Sequence, residues 1–450
     1  MPELIDTAEQ AVGHAKPAEM VEAFAVRRVA TTIQVDHRGG VRSLEHSEVR
    51  GLGVRLVVGQ RLGYASTSDL SASAVKDVVR KARQNADGAD IDEAQMLPRP
   101  STAPPAPDLA QSRWDDATLL DKVSFITEVA RRVVLADPLV RSIDTCELRD
   151  ERSTTAIVST TGVATVDDRA FVGAWCEAIG DDHSERAADV GYLFARCLPD
   201  LDADRLVDRT VKRTSRLLGN AAAPGPGLPI ILDPVVVAHL FDAVGRALAG
   251  GPMSSGRSPF ADGVGGAVAA PAVTLVDCGR AVSSPSGSRY DDEGVPRRDT
   301  VVIRDGVLTG ALHSTVTAAA IGGGATSTGN ARRLSYRSPP RAGPSALTLR
   351  PTLTHDELVT RFPDAVYIQQ LSGSGSGINA VTGGVDVGGS GWIWRDGQPA
   401  GRFSDLALST DLRRLLTSVI GVADDVDYVP WTSVLASTVV LGSEVFAHAS

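Results

Sequence analysis

The chain has 450 residues, of which 43% are hydrophobic and 22% are charged, a globular composition that excludes wholesale disorder. Its net charge of -10 argues against a nucleic-acid-binding surface, because phosphate contacts need clustered Lys and Arg. The four cysteines show no CxxC spacing, so neither a zinc ribbon nor a redox pair is expected. The sequence has no run of 18 apolar residues and no signal-peptide pattern in Met1–Pro17, so we expect no membrane span and a cytoplasmic protein.

The first 97 residues are predicted to form an N-terminal α+β domain. Apolar and polar residues alternate over Ala25–Asp36, as in a half-buried strand. Further strands are predicted at Val41–Val49, Gly51–Val58 and Arg61–Ser66. A helix is predicted at Ala72–Ala86, because its apolar positions lie on one helical stripe.

Residues 98–222 are predicted to form a Pro-rich linker and a middle region. Leu97–Asp108 holds five prolines in twelve residues, too many for a helix or a central strand, so we expect an exposed connection. Helices are predicted at Asp116–Ala136 and Leu201–Leu218. Between them, strands are predicted at Val140–Arg149, Ser153–Ser159, Val163–Asp167 and Phe171–Ile179, with a turn at Thr161-Gly162.

Residues 223–450 are predicted to form a sheet-rich C-terminal domain. It follows a Pro- and Gly-rich boundary loop and contains an apolar helix, Pro234–Leu248, with proline in its first turn. Strands are predicted at Leu228–Leu232, Ala272–Asp277, Thr300–Arg304, Val307–Leu312 and Gly391–Trp394, with hairpin turns at Asp305-Gly306 and Arg395-Asp396-Gly397. Strands and helices without a strict βαβ alternation favour an α+β fold.

Four groups of segments follow one another along nearly the whole chain: Gly51-Leu-Gly-Val-Arg-Leu56 with Gly63–Leu70; Tyr290–Pro296 with Val301–Leu308; Ser327-Thr-Gly-Asn-Ala-Arg-Arg333; and Gly375-Ser-Gly-Ile-Asn-Ala-Val-Thr-Gly383. In this order they resemble the TldD/PmbA family of peptidase-related proteins, once called modulators of DNA gyrase. The resemblance implies a two-domain α+β architecture with mixed and antiparallel sheets and flanking helices.

The resemblance implies one of two kinds of chain. One kind resembles a zinc peptidase, with HExxxH on a helix and a cysteine near the C-terminus; the other, PmbA (or TldE), lacks these ligands and pairs with the first. Here Phe241, Asp242 and Arg246 stand at the degenerate positions of the matching helix, 234–248. Phe cannot bind a metal, a guanidinium repels one, and Tyr428–Gly442 contains no cysteine.

The sequence therefore indicates a PmbA/TldE-like subunit without a catalytic residue, metal or cofactor of its own. Zinc is expected in a TldD-like partner subunit, and the heterodimer would act on unfolded peptides or peptide-like molecules, natural-product intermediates among them. Neither nucleic acid nor membrane is expected as a partner. The residues considered for substrate binding are His239, Asp292, Glu293, Arg332 and Asn379.

Each of these residues is a candidate for substrate binding because of its position in the sequence. His239 lies one helical turn from Asp242, Asp292 and Glu293 belong to an acidic run before Gly294, and Asn379 belongs to the last motif. The pair Arg332-Arg333 can bind a substrate carboxylate bidentately or pair with the acidic run.

Two alternatives stay open from the sequence. The chain can be a divergent stand-alone amide hydrolase that builds a site from His239, Asp242 and distant groups such as Cys278 or His313. It can also be a homodimeric binding protein without catalysis. A neighbouring gene with an intact HExxxH would favour the subunit over both.

Overall fold

A computed structural model describes residues 2–102, 105 and 114–445. The first half is built on one six-stranded antiparallel sheet, here called the long sheet, with the order β3-β2-β1-β4-β5-β6. Its strands are β1 (Met20–Val35), β2 (Val41–Val58), β3 (Arg61–Thr67), β4 (Val140–Ser159), β5 (Ala164–Asp181) and β6 (Arg186–Ala195). The helices of this half are α1 (Pro2–Val12), α2 (Ala72–Asp87), α3 (Leu119–Ala136) and α4 (Ala203–Ser215). Because β1 pairs with β4, strands from segments 1–97 and 98–222 share this sheet.

Several predicted strands prove to be parts of longer ones. The pieces predicted within 41–58 form the single strand β2, and those predicted within 140–159 form β4. In β2, the glycine at 53 lets the ring of Tyr64 lie against the strand, since a Cβ there would come within 2.1 Å of the tyrosine hydroxyl. Helix α1 and strand β6 were not predicted.

The helix predicted to begin at Asp116 begins three residues later. Thr118 is its N-cap: its side chain accepts the N–H of Asp121, and the Asp121 carboxylate accepts the N–H of Thr118 in return. This capping box fixes the start of α3, and a short 3-10 turn at Trp114–Asp116 precedes it.

The Pro-rich segment begins with a packed portion. Leu97 and Pro98 are buried, and the carbonyl of Pro98 accepts a 2.6 Å hydrogen bond from the Thr161 hydroxyl. Residues 99–102 and 105 are exposed and lie in neither helix nor strand. The rest of the predicted connection lies outside the described residues.

The second half contains two further six-stranded sheets. One has the order β10-β9-β8-β13-β19-β18, the other β16-β15-β14-β7-β20-β17, and β11 pairs with β12. The strands are β7 (Ile230–Leu232), β8 (Leu275–Cys278), β9 (Asp299–Arg304), β10 (Val307–Leu308), β11 (Ala331–Arg332), β12 (Arg341–Ala342), β13 (Leu347–Leu349), β14 (Ala365–Ser372), β15 (Gly384–Arg395), β16 (Gln398–Asp411), β17 (Val419–Val422), β18 (Asp427–Tyr428), β19 (Val434–Ala436) and β20 (Val439–Leu441). The helices are α5 (Pro234–Ala247), α6 (Gly250–Ser254), α7 (Thr315–Ile321), α8 (His355–Arg361), α9 (Ser374–Gly377) and α10 (Leu412–Thr417).

Both of these sheets mix parallel and antiparallel pairs. β13 runs parallel to β19, and β14 runs parallel to β7, while most neighbours are antiparallel. Helix α5 packs against β13 and β19 of one sheet and β14 of the other, so it lies between them in the largest hydrophobic core. The predicted α+β fold with mixed sheets and flanking helices is confirmed.

Three predicted turns are present where the sequence indicated them. Asp305 and Gly306 have φ of 48° and 83° and join β9 to β10, and Asp396 and Gly397 have φ of 47° and 73° and join β15 to β16. Positive φ at both central positions is the twist that a tight hairpin needs. Gly162, with φ of 97°, lies in the turn between β4 and β5. No described helix is long and apolar enough to cross a membrane.

Candidate functional site

Helix α5 is held in place from its first turn. Asp233 caps it by accepting the N–H of Val235 at 2.9 Å, and the next residue, Pro234, has no N–H to satisfy. The Asp233 carboxylate is itself fixed by Arg213 at 2.9 Å and by the Tyr367 hydroxyl at 3.0 Å. Most side chains of α5 are buried, and His239, Asp242 and Arg246 are the ones that reach toward solvent beyond its first turn.

The three degenerate positions have different surroundings. Phe241 is 1% exposed and belongs to the large core between the two sheets. Asp242 and Arg246 form the ion pair expected from their i, i+4 spacing, with 2.7 Å between Oδ2 and Nη1. The other oxygen of Asp242 accepts the N–H of Ser433 at 3.2 Å. Asp242 thus joins α5 to the C-terminal loop in which the resemblance places a metal-binding cysteine.

The residues at these positions do not fit a zinc ion. Phe241 has no donor atom, and the Asp242 carboxylate is already bonded to a guanidinium and an N–H. Within the described ranges, no three His, Cys, Asp or Glu side chains are grouped so that they could hold a metal.

The residues considered for a stand-alone hydrolase, all of which the structure describes, do not form hydrogen bonds with one another. His313 Nδ1 is 3.3 Å from the Thr317 hydroxyl, and burial lowers the pKa of His313. Burial, reinforced by Asp299 and Asp277, raises the pKa of Cys278 to about 12, which keeps it a thiol rather than a nucleophilic thiolate. Half-buried His239 has its pKa lowered by burial, against an opposing effect of Asp242. No described hydrogen bond joins any two of His239, Cys278 and His313.

The acidic run turns two of its three carboxylates inward. Glu293 is fully buried and accepts bonds from Arg55 at 2.8 Å and from the N–H of Thr315 at 2.9 Å. Asp291 accepts three backbone N–H groups, including that of Ala331 at 3.0 Å, while burial and the charge of Glu293 raise its pKa to about 7. Gly294 has φ of 80°, and a Cβ there would come within 2.5 Å of a methyl group of Val163, in the turn between β4 and β5. Neither Asp291 nor Glu293 is presented to a ligand.

A chain of buried charges joins the long sheet to the second half. Glu293 pairs with Arg55, Arg55 pairs with Glu22 at 2.6 Å, and Glu22 pairs with Arg333. Arg333 also donates its backbone N–H to the carboxylate of Asp292 at 2.6 Å. Arg333 is therefore committed to the acidic run, which is the structural alternative given for it above.

Arg332 has a different environment from its neighbour. The Arg332 guanidinium donates to the Ser433 hydroxyl at 2.6 Å and to the carbonyl of Pro344. Ser433 therefore contacts Arg332 through its hydroxyl and Asp242 through its N–H. Asn379 lies elsewhere: its side chain accepts the N–H groups of Val381 and Thr382 in its own loop.

Beside Arg332 lies a cavity of about 190 Å³ between the long sheet and the second half, here called the arginine cavity. Five arginines line it: Arg28, Arg169, Arg297, Arg332 and Arg333. Arg28 of β1, Ser153 of β4 and Arg169 of β5 stand directly opposite one another across the sheet. Sequence reasoning missed Arg28, Arg169 and Arg297, because only the long-range strand register brings the first two beside Arg332. With Asp292 and Arg332, the structure thus brings together two of the five predicted binding residues.

Comparison with known families assigns this fold. Models of the PmbA/TldA metallopeptidase match over most of the chain: domain 1 over residues 21–86, the central domain over 112–218 and the C-terminal domain over 225–447. The chain belongs to the PmbA/TldD metallopeptidase family, as its motifs predicted.

Individual relatives agree at low identity. The chain is 24% identical over 341 residues to a metalloprotease TldD homolog of Haemophilus influenzae, covering 72% of this chain and 69% of the relative. It is 22% identical over 414 residues to metalloprotease PmbA of Escherichia coli O157:H7, covering 88% and 86%.

Two solved structures have the same fold. One, described as a modulator of DNA gyrase from Thermotoga maritima, has a TM-score of 0.88 at 19% identity, covering 97% of this chain and 98% of its own. TldE from Thermococcus kodakarensis has a TM-score of 0.85 at 17% identity, covering 98% of both chains.

Proposed function

We propose that this chain is a PmbA/TldE-like subunit that carries no metal of its own and pairs with a zinc-bearing, TldD-like chain of a peptidase complex. The observation that carries the proposal is the state of helix α5. Where the family resemblance places HExxxH, Phe241 is packed in the core and Asp242 is bonded to Arg246 and to the N–H of Ser433. These bonds leave no ligand set and no free base for water.

The role left to this chain is to shape the peptide cleft and to bind part of the peptide. The substrate would be an unfolded peptide or a peptide-like amide, natural-product intermediates included. Of the predicted binding residues, Asp292 and Arg332 suit this role best, since both line the arginine cavity. We assign Glu293 to structure, because it is buried against Arg55.

The experiment is to purify the chain alone and together with a TldD-like chain that has an intact HExxxH, and to measure zinc by elemental analysis and peptide hydrolysis in both samples. We expect less than stoichiometric zinc and no hydrolysis in this chain alone, and about one zinc per pair with hydrolysis in the complex. About one zinc per isolated chain, lost on His239→Ala, would contradict the proposal.

Variants of the ion pair separate a structural role from a catalytic one. Arg246→Ala should leave the activity of the complex within a few-fold, because the guanidinium side chain is 55% exposed and serves only Asp242. Complete loss of activity on Asp242→Ala, with folding and assembly intact, would show that this chain supplies a catalytic group and would favour the stand-alone hydrolase.

A further inference from the structure

The arginine cavity has more positive than negative charge in its wall. Its five arginines face two acidic side chains, Glu151 and Asp292. Arg28 lies 3.2 Å from Glu151, and Arg333 is paired with Glu22 outside the cavity. The remaining three, Arg169, Arg297 and Arg332, form no ion pair within 4.0 Å with any residue that the structure describes. Asp167, Asp277 and Asp291 also act electrostatically on one or more of these three arginines, but among the described residues none of them pairs with Arg169, Arg297 or Arg332 within 4.0 Å.

Arg297 has a buried donor that no described residue satisfies. It is 2% exposed, and its Nε donates to the carbonyl of Tyr290 at 3.2 Å. Its Nη1 is buried, and no acceptor among the described residues bonds to it. A buried N–H without an acceptor destabilises the folded protein. A ligand that offers a hydrogen-bond acceptor to this N–H would therefore bind favourably.

Arg332 has two neutral acceptors, the Ser433 hydroxyl and the carbonyl of Pro344, but no ion pair within 4.0 Å among the described residues. Burial, and then the charge of Arg297, lower the pKa of Arg332. Two guanidinium groups close enough to perturb each other repel, and an anion held between them removes that repulsion. Guanidinium groups match a carboxylate through two parallel N–H bonds.

We propose that the arginine cavity binds a carboxylate of a peptide ligand, with Arg297, Arg332 and Arg169 as the donors. A carboxylate carried on a carbon chain suits the wall better than a free phosphate, because Phe171 and Pro285 give the cavity an apolar side.

The cavity is connected to the degenerate helix. Arg332 bonds to the hydroxyl of Ser433, whose N–H bonds to Asp242 of α5. Ser433 is thus the one residue between Arg332 in the cavity wall and Asp242 on α5, and in this proposal the C-terminal carboxylate of the peptide lies on Arg332. That the carboxylate belongs to a peptide rests on the proposed function; the affinity of the cavity for a carboxylate does not.

The test is isothermal titration of the full chain, without partner or zinc, with tetra-alanine, tetra-alanine amide and inorganic phosphate. We expect the free acid to bind at least tenfold more tightly than the amide. Arg297→Gln should weaken the free acid at least tenfold. Arg304→Gln, which removes an exposed arginine of β9 away from the cavity, should leave it unchanged.

Arg169→Gln provides the same test if Arg297→Gln does not fold, because Arg169 has no ion pair to lose among the described residues. Equal binding of acid and amide, or binding of phosphate and neither peptide, would overturn the proposal. Unchanged binding in both variants would also overturn it. Because the titration needs no hydrolysis, it fails or succeeds separately from the subunit role.

Discussion

Replacement of Arg55 by Met tests whether the buried charge chain fixes the second half to the long sheet. Arg55 is 2% exposed, and it bonds to Glu22 at 2.6 Å and to Glu293 at 2.8 Å. Met keeps most of the volume and removes the charge. Glu22 would keep its pair with Arg333, whereas Glu293 would keep only the N–H of Thr315.

The expected loss in the free energy of unfolding follows from the carboxylate that the substitution leaves buried without its partner. Breaking a buried ion pair by removing one partner costs about 3–5 kcal/mol, because the other charge stays buried without compensation. Both carboxylates are 1% exposed or less, so solvent does not screen them. Removing the stranded charge as well, with Glu293→Gln in the Arg55→Met background, should recover more than about 1 kcal/mol, since the two sites are in contact.

The assay is urea unfolding of the full chain followed by circular dichroism, with the midpoint of the first transition compared between variants. Arg131→Met is the matched control: its pair with Glu128 on α3 has the same 2.8 Å separation, but both side chains are about half exposed. We expect no measurable shift there. A shift for Arg55→Met as small as that of the control would refute the reasoning.

Three further predictions use the same protein. Burial raises the pKa of Asp291 to about 7, so between about pH 4 and 7 the folded state holds a proton that the unfolded state has lost. The free energy of unfolding should therefore fall as pH rises from about 4 to 7. Asp291→Asn should make the urea midpoint depend less on pH over this range. Arg246→Ala should lower the free energy of unfolding by only about 0.3–0.5 kcal/mol, the usual contribution of a partly exposed i, i+4 pair, measured in the same titrations. Limited digestion with subtilisin, a protease of broad specificity, should cut first at the exposed residues 101–102, and early cuts within α5 would contradict the predicted connection.

Local signals in the sequence predicted local structure well. Asp-Gly pairs marked the hairpins at 305–306 and 396–397, because positive φ favours these residues whatever surrounds them. The position of α5 followed from its apolar run and its early proline. Boundaries failed where side-chain bonds decide them, as at Thr118, where the capping box starts α3 later than its acidic residues indicated.

The candidate site was predicted only in part, because its members meet through strand register. The degenerate positions on α5 could be read directly, and so could the pairing of Asp242 with Arg246. Arg28 and Arg169 are 141 positions apart in number and become neighbours only because both stand opposite Ser153. No local sequence pattern could show that Arg333 would form an ion pair with Glu22 and that Arg332 would not.

The proposed metal-free role and the proposed carboxylate site both depend on the chemistry of the guanidinium group. A zinc ion polarises an amide carbonyl and lowers the pKa of a bound water; an arginine does neither, but it holds a carboxylate firmly and in a fixed orientation. Arg246 stands where the family resemblance implies a metal ligand in the other kind of subunit, and Arg332 bonds to the Ser433 hydroxyl near it. We infer that this region is suited to hold the end of a peptide and unsuited to attack its amide bond.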